Sequence, residues 1–253
     1  MQPIETALIT GASSGIGRAL ADALAAPGVT LHLSGRDVAR LEATVRGCEA
    51  KGATVHPSTV DVRDAAAMAR WIGQAGRLDL VIANAGIAAG NQGGEAETDE
   101  QTRAIFATNL DGALNTMLPA IDIMARQPAD ARGVRGRIAA IASIAAFIAL
   151  PNASAYSASK AALDRWTMAR APSAARVGVQ LSSVCPGYVR SAITARNRFP
   201  MPGFMEADRA AALILRGIAA GQTRIVFPRW LGLAARAGGL LPPRLLGRLV
   251  HRD

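Results

Sequence analysis

Thr10-Gly11-Ala12-Ser13-Ser14-Gly15-Ile16-Gly17 lies between an apolar run of strand length, about Ile4 to Thr10, and a stretch of helical periodicity, about Ile16 to Ala26. That setting gives each glycine a physical reason. Gly11 permits a tight turn, Gly15 lets the backbone approach a diphosphate, and Gly17 lets the helix pack close to the sheet. Ser13, Ser14 and Ile16 join them as candidate contacts of the same loop. The helix start offers free N–H groups and a positive dipole end to phosphates. Any strand-to-helix turn favours glycine, so the triplet alone is weak evidence; the strand before it and the helix after it raise its weight.

Outward from this loop, apolar runs of strand length alternate with helical patterns. A second strand spans Val29 to Ser34, and Asp37 is placed to cap a helix through Ala50. Further strands are expected near Thr54–Val60, Leu78–Ala83, Gly136–Ala142, Val179–Val184 and Arg224–Phe227. The alternation predicts an α/β fold, a doubly wound parallel sheet of about seven strands with helices on both faces. The uncharged stretch Ile138–Ser159 is long enough to span a bilayer, but it is Ala-rich and broken by Pro151-Asn152. A buried strand, a loop and a new helix explain it better. No repeat or linker divides the chain, so residues 1–253 read as one domain.

Half of the 253 residues are hydrophobic and 19% are charged, which suits an ordered globular protein. Aromatics make up only 4%, so Ala, Leu, Ile and Val must build the core. Cys48 and Cys185 form no close Cys-x-x-Cys pair, so neither a thiolate metal site nor a disulfide framework is indicated. A reducing compartment, the cytoplasm, is expected; the opening MQPIETALIT has no leader-like apolar stretch. The net charge is +9, and residues 224–253 hold six arginines against one acid. No basic run interleaved with aromatics occurs, so nucleic acid is not an expected partner. Only Lys51 and Lys160 are lysines among 28 basic residues, so a position that keeps lysine invites a chemical reason.

At the end of the second strand stand Ser34-Gly35-Arg36, with no acid before Asp37. An acid there accepts from a ribose 2′-OH; an arginine instead attracts a 2′-phosphate. The alternative for Arg36 is a solvated surface side chain. Asp61-Val62 follows the third strand, where it suits an adenine edge, although Asp61 or Asp64 would also serve as a helix cap. Asn84-Ala85-Gly86 makes a small-residue turn after the fourth strand. In YSASK, Tyr156 and Lys160 share one helical face. An ammonium beside a phenol, whose free pKa is about 10, favours the phenolate.

The ordered set TGASSGIG, Asp61, Asn84 to Gly86, Asn109, Ser143, YSASK and Pro186-Gly187 resembles the short-chain dehydrogenase/reductase family over about residues 4–228. Ser143 precedes Tyr156 by 13 residues, a spacing common in that family. The resemblance implies a Rossmann-like fold and an oxidoreductase that interconverts a carbonyl and an alcohol with NADP(H), without a metal. It implies Tyr156 as general acid and base, Lys160 as its tuner and ribose ligand, and Ser143 as donor to the substrate oxygen. Asn109 would shape its helix and hold a water in the proton path. Val189 and Ser191, after Pro186-Gly187, would line the nicotinamide; Ser191 stands where many relatives have threonine. A homodimer or homotetramer is implied as well.

Residues from about 190 to 210, rich in Pro, Met and Phe, suit an apolar substrate lid. In the tail, about 229–253, Leu245, Leu246, Leu249 and Val250 recur at helical spacing beside Arg244, Arg248 and Arg252. Such a helix would rest on the inner membrane surface, close a pocket or meet a second subunit. The membrane reading has an apolar or lipid-like substrate as its corollary. The competing function is a non-catalytic NADP(H)-binding sensor or scaffold. The four residues Asn109, Ser143, Tyr156 and Lys160 argue against it, since a non-enzyme has little need of all of them.

Overall fold

In a computed structural model of the chain, the described residues are 4–89, 96–196 and 200–242. They contain seven strands: β1 Thr6–Ile9, β2 Thr30–Ser34, β3 Thr54–Ser58, β4 Leu80–Ala83, β5 Gly136–Ile141, β6 Val179–Pro186 and β7 Arg224–Phe227. All pairings are parallel, in the spatial order β3-β2-β1-β4-β5-β6-β7. β4 and β5 are buried at every residue, as strands covered on both faces must be, and this is why they read as apolar runs, broken only by Arg137 near the start of β5.

The helices are α1 Gly15–Leu24, α2 Val38–Glu49, α3 Ala65–Gln74, α4 Asp99–Phe106, α5 Gly112–Met124, α6 Ser154–Arg176, α7 Ala207–Ala219 and α8 Arg229–Gly238. Their starts are chemically marked. The Asp37 carboxylate accepts from Arg40 N at 3.0 Å and opens α2. Asp64, not Asp61, caps α3 by accepting from Ala67 N at 2.9 Å. Thr98 and Gln101 form a reciprocal capping box at α4.

Two cores result, one on each face. Leu31, Leu33, Ile9 and Ile82 pack under Leu20 and Ile214 of α1 and α7. Leu8, Val81, Ile138 and Leu181 pack under Ile72, Met117 and Leu163 of α3, α5 and α6. Strand order reverses at β1, which lies between β2 and β4. In such sheets the crevice beyond the carboxyl ends of the two strands flanking the reversal receives the ligand. Observed strand ends differ from the sequence expectations by a residue or two, because pairing partners rather than hydrophobicity end a strand. Of the tail, α8 is the last described helix; the amphipathic pattern after Pro243 lies outside the described residues. Among the described residues, no helix is long and apolar enough to cross a membrane. Ile138–Ser159 divides into β5, two short 3-10 turns and the start of α6, as its breaks imply.

Candidate active site

The glycine loop sits at the reversal point, and its side-chain-free positions are sterically enforced. A Cβ on Gly17 would lie 2.3 Å from the Gly11 carbonyl oxygen and 2.5 Å from Asn84 Nδ2. Gly11 and Gly15 hold φ of +67° and +53°, the left-handed region that a side chain disfavours. A Cβ on Gly15 would meet the Ser191 side chain at 2.8 Å, so Ser191 faces the loop across the crevice. Ser14 caps α1 without a side-chain hydrogen bond to the helix. Ser13 lies beneath Gly35, and the Ser34 carbonyl accepts from Ala12 N at 2.8 Å, tying the loop to the end of β2. Ile16 packs its side chain onto the core beneath. A loop closed to side chains, beside a helix start without a side-chain cap, fits a dinucleotide diphosphate.

Asn84 serves this loop from below. Its Nδ2 donates to Thr10 O at 2.9 Å and Gly11 O at 3.0 Å, and its N–H donates to Thr10 Oγ1 at 3.0 Å. Ala85 N donates to the same hydroxyl at 3.1 Å. Asn84 therefore holds the glycine turn with its side chain.

Arg36 is exposed at the end of β2 and forms no salt bridge among the described residues. Its charge reaches Asp61, whose carboxyl lies below its ordinary range chiefly through hydrogen bonds from Arg63. Arg63 Nη2 stands 2.6 Å from Asp61 Oδ2. Val62 is buried, and its carbonyl accepts from Asn115 Nδ2 at 2.9 Å.

The catalytic candidates converge at the ends of β4 and β5. Ser143 follows β5, and its Oγ accepts from Ala145 N at 3.1 Å, opening a 3-10 turn, Ile144–Phe147. The Ser143 hydroxyl lies near enough to the Tyr156 phenol to favour its phenolate. The Lys160 ammonium lies 5.9 Å from the Tyr156 ring centroid and donates to Ile141 O at 2.7 Å. One helical face thus carries both residues, as their spacing required. The electrostatics differ from the simple expectation. Burial raises the Tyr156 phenol above its ordinary value, and the nearby Ser143 hydroxyl opposes that rise. Lys160 is itself depressed to about 8 by burial, because an ammonium loses hydration there.

Gly86 closes the group: a Cβ on it would lie 3.3 Å from Asn109 Oδ1 and 3.4 Å from Lys160 Nζ. Asn109 is fully buried in a π turn, Ala107–Asp111, between α4 and α5. Its Oδ1 accepts from Ile87 N at 2.8 Å, while Nδ2 donates to Ile87 O at 2.9 Å and Ser159 Oγ at 3.2 Å. It locks the segment after β4 to the helix of Tyr156. Wide turns of this kind often mark functional positions, and no residue pattern announces them.

Sequence reasoning also missed Glu97. Helix α6 has no side-chain cap of its own at Ala153. Glu97 supplies one from 59 residues before Tyr156: its carboxylate accepts from Ser154 Oγ at 2.8 Å, Ala155 N at 2.5 Å and Tyr156 N at 3.4 Å. A cap this distant leaves no local signature. Glu97→Ala is expected to cost about 1 kcal/mol of stability. It should also lower kcat more than it changes KM, because the lost cap adjoins Tyr156; steady-state kinetics beside a thermal melt would check both.

On the substrate side, Gly187 N donates to Phe227 O at 2.7 Å, and Pro186 is buried at the end of β6. Val189 is buried and bridges Met205. Ser191 N donates to Thr194 Oγ1 at 3.0 Å, and Thr194 Oγ1 donates to Val189 O at 2.8 Å, so this turn is internally braced. Phe204 lies under the Arg190 guanidinium, 5.1 Å from ring centroid to Cζ. No cluster of metal-ligating side chains occurs among the described residues.

The sequence model described as short chain dehydrogenase matches residues 5–200. An uncharacterised oxidoreductase of Myxococcus xanthus is 37% identical over 251 residues, 98% of this chain and 96% of that protein. Ketoacyl reductase HetN of a Nostoc species is 32% identical over 88% of this chain and 78% of its own length. Among solved structures, a short-chain dehydrogenase/reductase from Burkholderia phymatum in complex with NAD has a TM-score of 0.81 at 25% identity, covering 93% of this chain and 94% of that one. A short-chain dehydrogenase from Sphingobium yanoikuyae in complex with NADPH has a TM-score of 0.79 at 27% identity, covering 94% and 95%.

Proposed function

The chain belongs to the short-chain dehydrogenase/reductase family, and from that premise we propose that it is an NADP(H)-dependent oxidoreductase interconverting a carbonyl and an alcohol on an apolar, lipid-like small molecule. The observation that carries the reading is the convergence of Tyr156, Lys160 beside its ring, Ser143 and Asn109 at the sheet edge that also holds the glycine loop. The name of the Nostoc relative, a ketoacyl reductase, supports carbonyl reduction.

The bound nicotinamide would supply or accept the hydride. The chain's own residues handle the proton and the oxygen. Tyr156 gives its phenolic proton to the carbonyl oxygen as negative charge grows there, and Ser143 donates a second hydrogen bond to the same atom. Burial that raises the phenol keeps it protonated at neutral pH, as a proton donor requires. Lys160 holds its charge beside the ring and is positioned by the Ile141 carbonyl. In the oxidative direction the same phenol returns as base. Gly11, Ser13, Ser14, Gly15, Ile16 and Gly17 would receive the diphosphate, Asp61 and Val62 the adenine, and Val189 and Ser191 the nicotinamide. Membership of the family implies an oligomer, and a homodimer or homotetramer is the assembly we propose.

The choice of NADP(H) rests on Arg36, exposed and without a salt bridge among the described residues, where an acid would favour NAD. Neighbours of this fold carry either nucleotide. Arg36→Ala is expected to weaken NADPH binding about 10- to 100-fold, the worth of a charged hydrogen bond, while leaving NADH nearly unchanged. Fluorescence titration with both nucleotides tests this. An unchanged preference would reject the phosphate assignment, and failure of the folded wild type to bind either nucleotide would reject the oxidoreductase reading.

A further inference from the structure

Exposed large apolar side chains are few among the described residues, and four of the eight, Trp230, Leu233, Leu240 and Leu241, fall in one short stretch of the chain. Trp230 and Leu233 of α8 are 55% and 64% exposed, and Leu240 just beyond the helix is 87% exposed. Helical spacing from 230 through 233, 234 and 237 puts Trp230, Leu233, Ala234 and Ala237 on one outward face. Gly232 and Ala235 form the opposite, buried face. Arg229 and Arg236, seven residues apart, flank one edge of the apolar stripe. No acidic residue occurs from Arg209 through Arg252, an interval that contains eight arginines.

We propose that this outer face of α8 docks on an anionic phospholipid surface. Trp and Leu enter the boundary between headgroups and acyl chains, while arginines extend beside them to the phosphates. Charge decides against a second copy as the occupant. A two-fold contact through this face would set Arg229 and Arg236 against a face of the same positive sign, with no acid of the surrounding chain to pair them. An anionic leaflet offers the opposite sign, with an attraction that grows with each arginine near the surface.

The location gives the docking a use. A Cβ on Gly203 would lie 3.3 Å from Trp230 Cζ2, and one on Gly187 would lie 3.2 Å from Leu231 Cδ2. The far end of α8 presses on the turn after Ser143: a Cβ on Gly239 would meet the Phe147 carbonyl oxygen at 2.1 Å, and the Arg236 guanidinium lies 4.5 Å from the Phe147 ring centroid. α8 therefore borders three segments of the substrate side, and docking through it would set that side against the bilayer. The proposal stands apart from the catalytic reading, because binding to lipid needs no turnover.

The test is co-sedimentation of the full-length protein with phosphatidylcholine vesicles, with and without phosphatidylglycerol. Trp71 and Trp166 pack against the core, so Trp230 is the tryptophan set to report a change of surroundings. The expected result is pelleting with the anionic vesicles alone, weakened by salt, and a blue-shifted emission that Trp230→Phe removes. The Trp230→Ala/Leu233→Ala double variant, which alters only exposed side chains, should bind these vesicles about 10-fold or more weakly while keeping its circular dichroism. Absence of pelleting with either vesicle overturns the proposal. So does undiminished pelleting of the double variant, which would place the contact elsewhere on the chain. Concentration-dependent self-association that the double variant abolishes, without lipid binding, would assign the face to a second copy.

Discussion

Tyr156→Phe is expected to lower turnover about 1,000-fold or more, the upper part of the range for a general acid, while leaving nucleotide affinity within a factor of about two. The substitution removes one oxygen. The ring keeps its place in α6, and Glu97 still receives the backbone N–H groups of Ala155 and Tyr156. What disappears is the proton that must meet the growing charge on the carbonyl oxygen. Cofactor oxidation with a panel of apolar ketones, beside a fluorescence titration, separates the two quantities. Retained turnover in the variant would exclude Tyr156 as the acid. Loss of nucleotide binding in step with activity would point instead to a disturbed fold.

Lys160→Met should abolish most activity and yet stabilise the protein. Lys160 is 4% exposed, and burial lowers its pKa from 10.5 to about 8. A depressed lysine means that the folded state disfavours the charged form relative to the unfolded chain. That cost is fully present below about pH 8, where both states are protonated, and fades between about 8 and 10.5 as the folded group releases its proton first. The shift corresponds to about 3 kcal/mol, order of magnitude only. Methionine fills a similar volume without charge but leaves the Ile141 carbonyl without its Lys160 donor, which returns about 1 kcal/mol of the gain. The expected outcome at pH 7 is a stability increase of about 2 kcal/mol with turnover down about 100-fold or more. Denaturant midpoints at pH 7 and pH 10 should show the gap between variant and wild type narrowing as pH rises. A variant less stable than wild type at pH 7, or a gap that does not move with pH, would contradict this account. The pattern is that of a functional residue held at the expense of stability.

A second buried charge shows the opposite arrangement. Asp164, one turn beyond Lys160 on α6, is 2% exposed, but Arg224 at the start of β7 reaches it with two bonds, Nη2 to Oδ2 at 2.8 Å and Nε to Oδ1 at 3.0 Å. Ser183 Oγ adds a third at 2.7 Å. The carboxylate is fully partnered, and it ties the helix of Tyr156 to β6 and β7. The Arg224 guanidinium also lies 5.7 Å from the Phe147 ring centroid, so the brace extends to the turn that begins at Ser143.

Much of the fold and of the site chemistry was written in local pattern. The β1 to glycine loop to α1 unit was legible because a tight turn beside a sheet accepts only glycine at Gly11, Gly15 and Gly17, and short-range sterics act within the segment itself. The parallel sheet was legible because strands buried on both faces are largely apolar, as β4 is throughout and β5 is apart from Arg137, which pairs with Asp130. Tyr156 and Lys160 shared a face because helix geometry links positions four apart. Tertiary structure alone decided what depends on residues far apart in the chain. The Glu97 cap on α6, the π turn that turns Asn109 toward Ile87 and Ser159, and the Arg224 brace on Asp164 each join segments separated by 22 to 60 residues. It decided, too, that burial outweighs the Ser143 hydroxyl in setting the Tyr156 phenol. Spacing in a sequence gives proximity along a helix, whereas hydration, and with it the balance of charge, is lost or kept only when the whole chain has closed around a group.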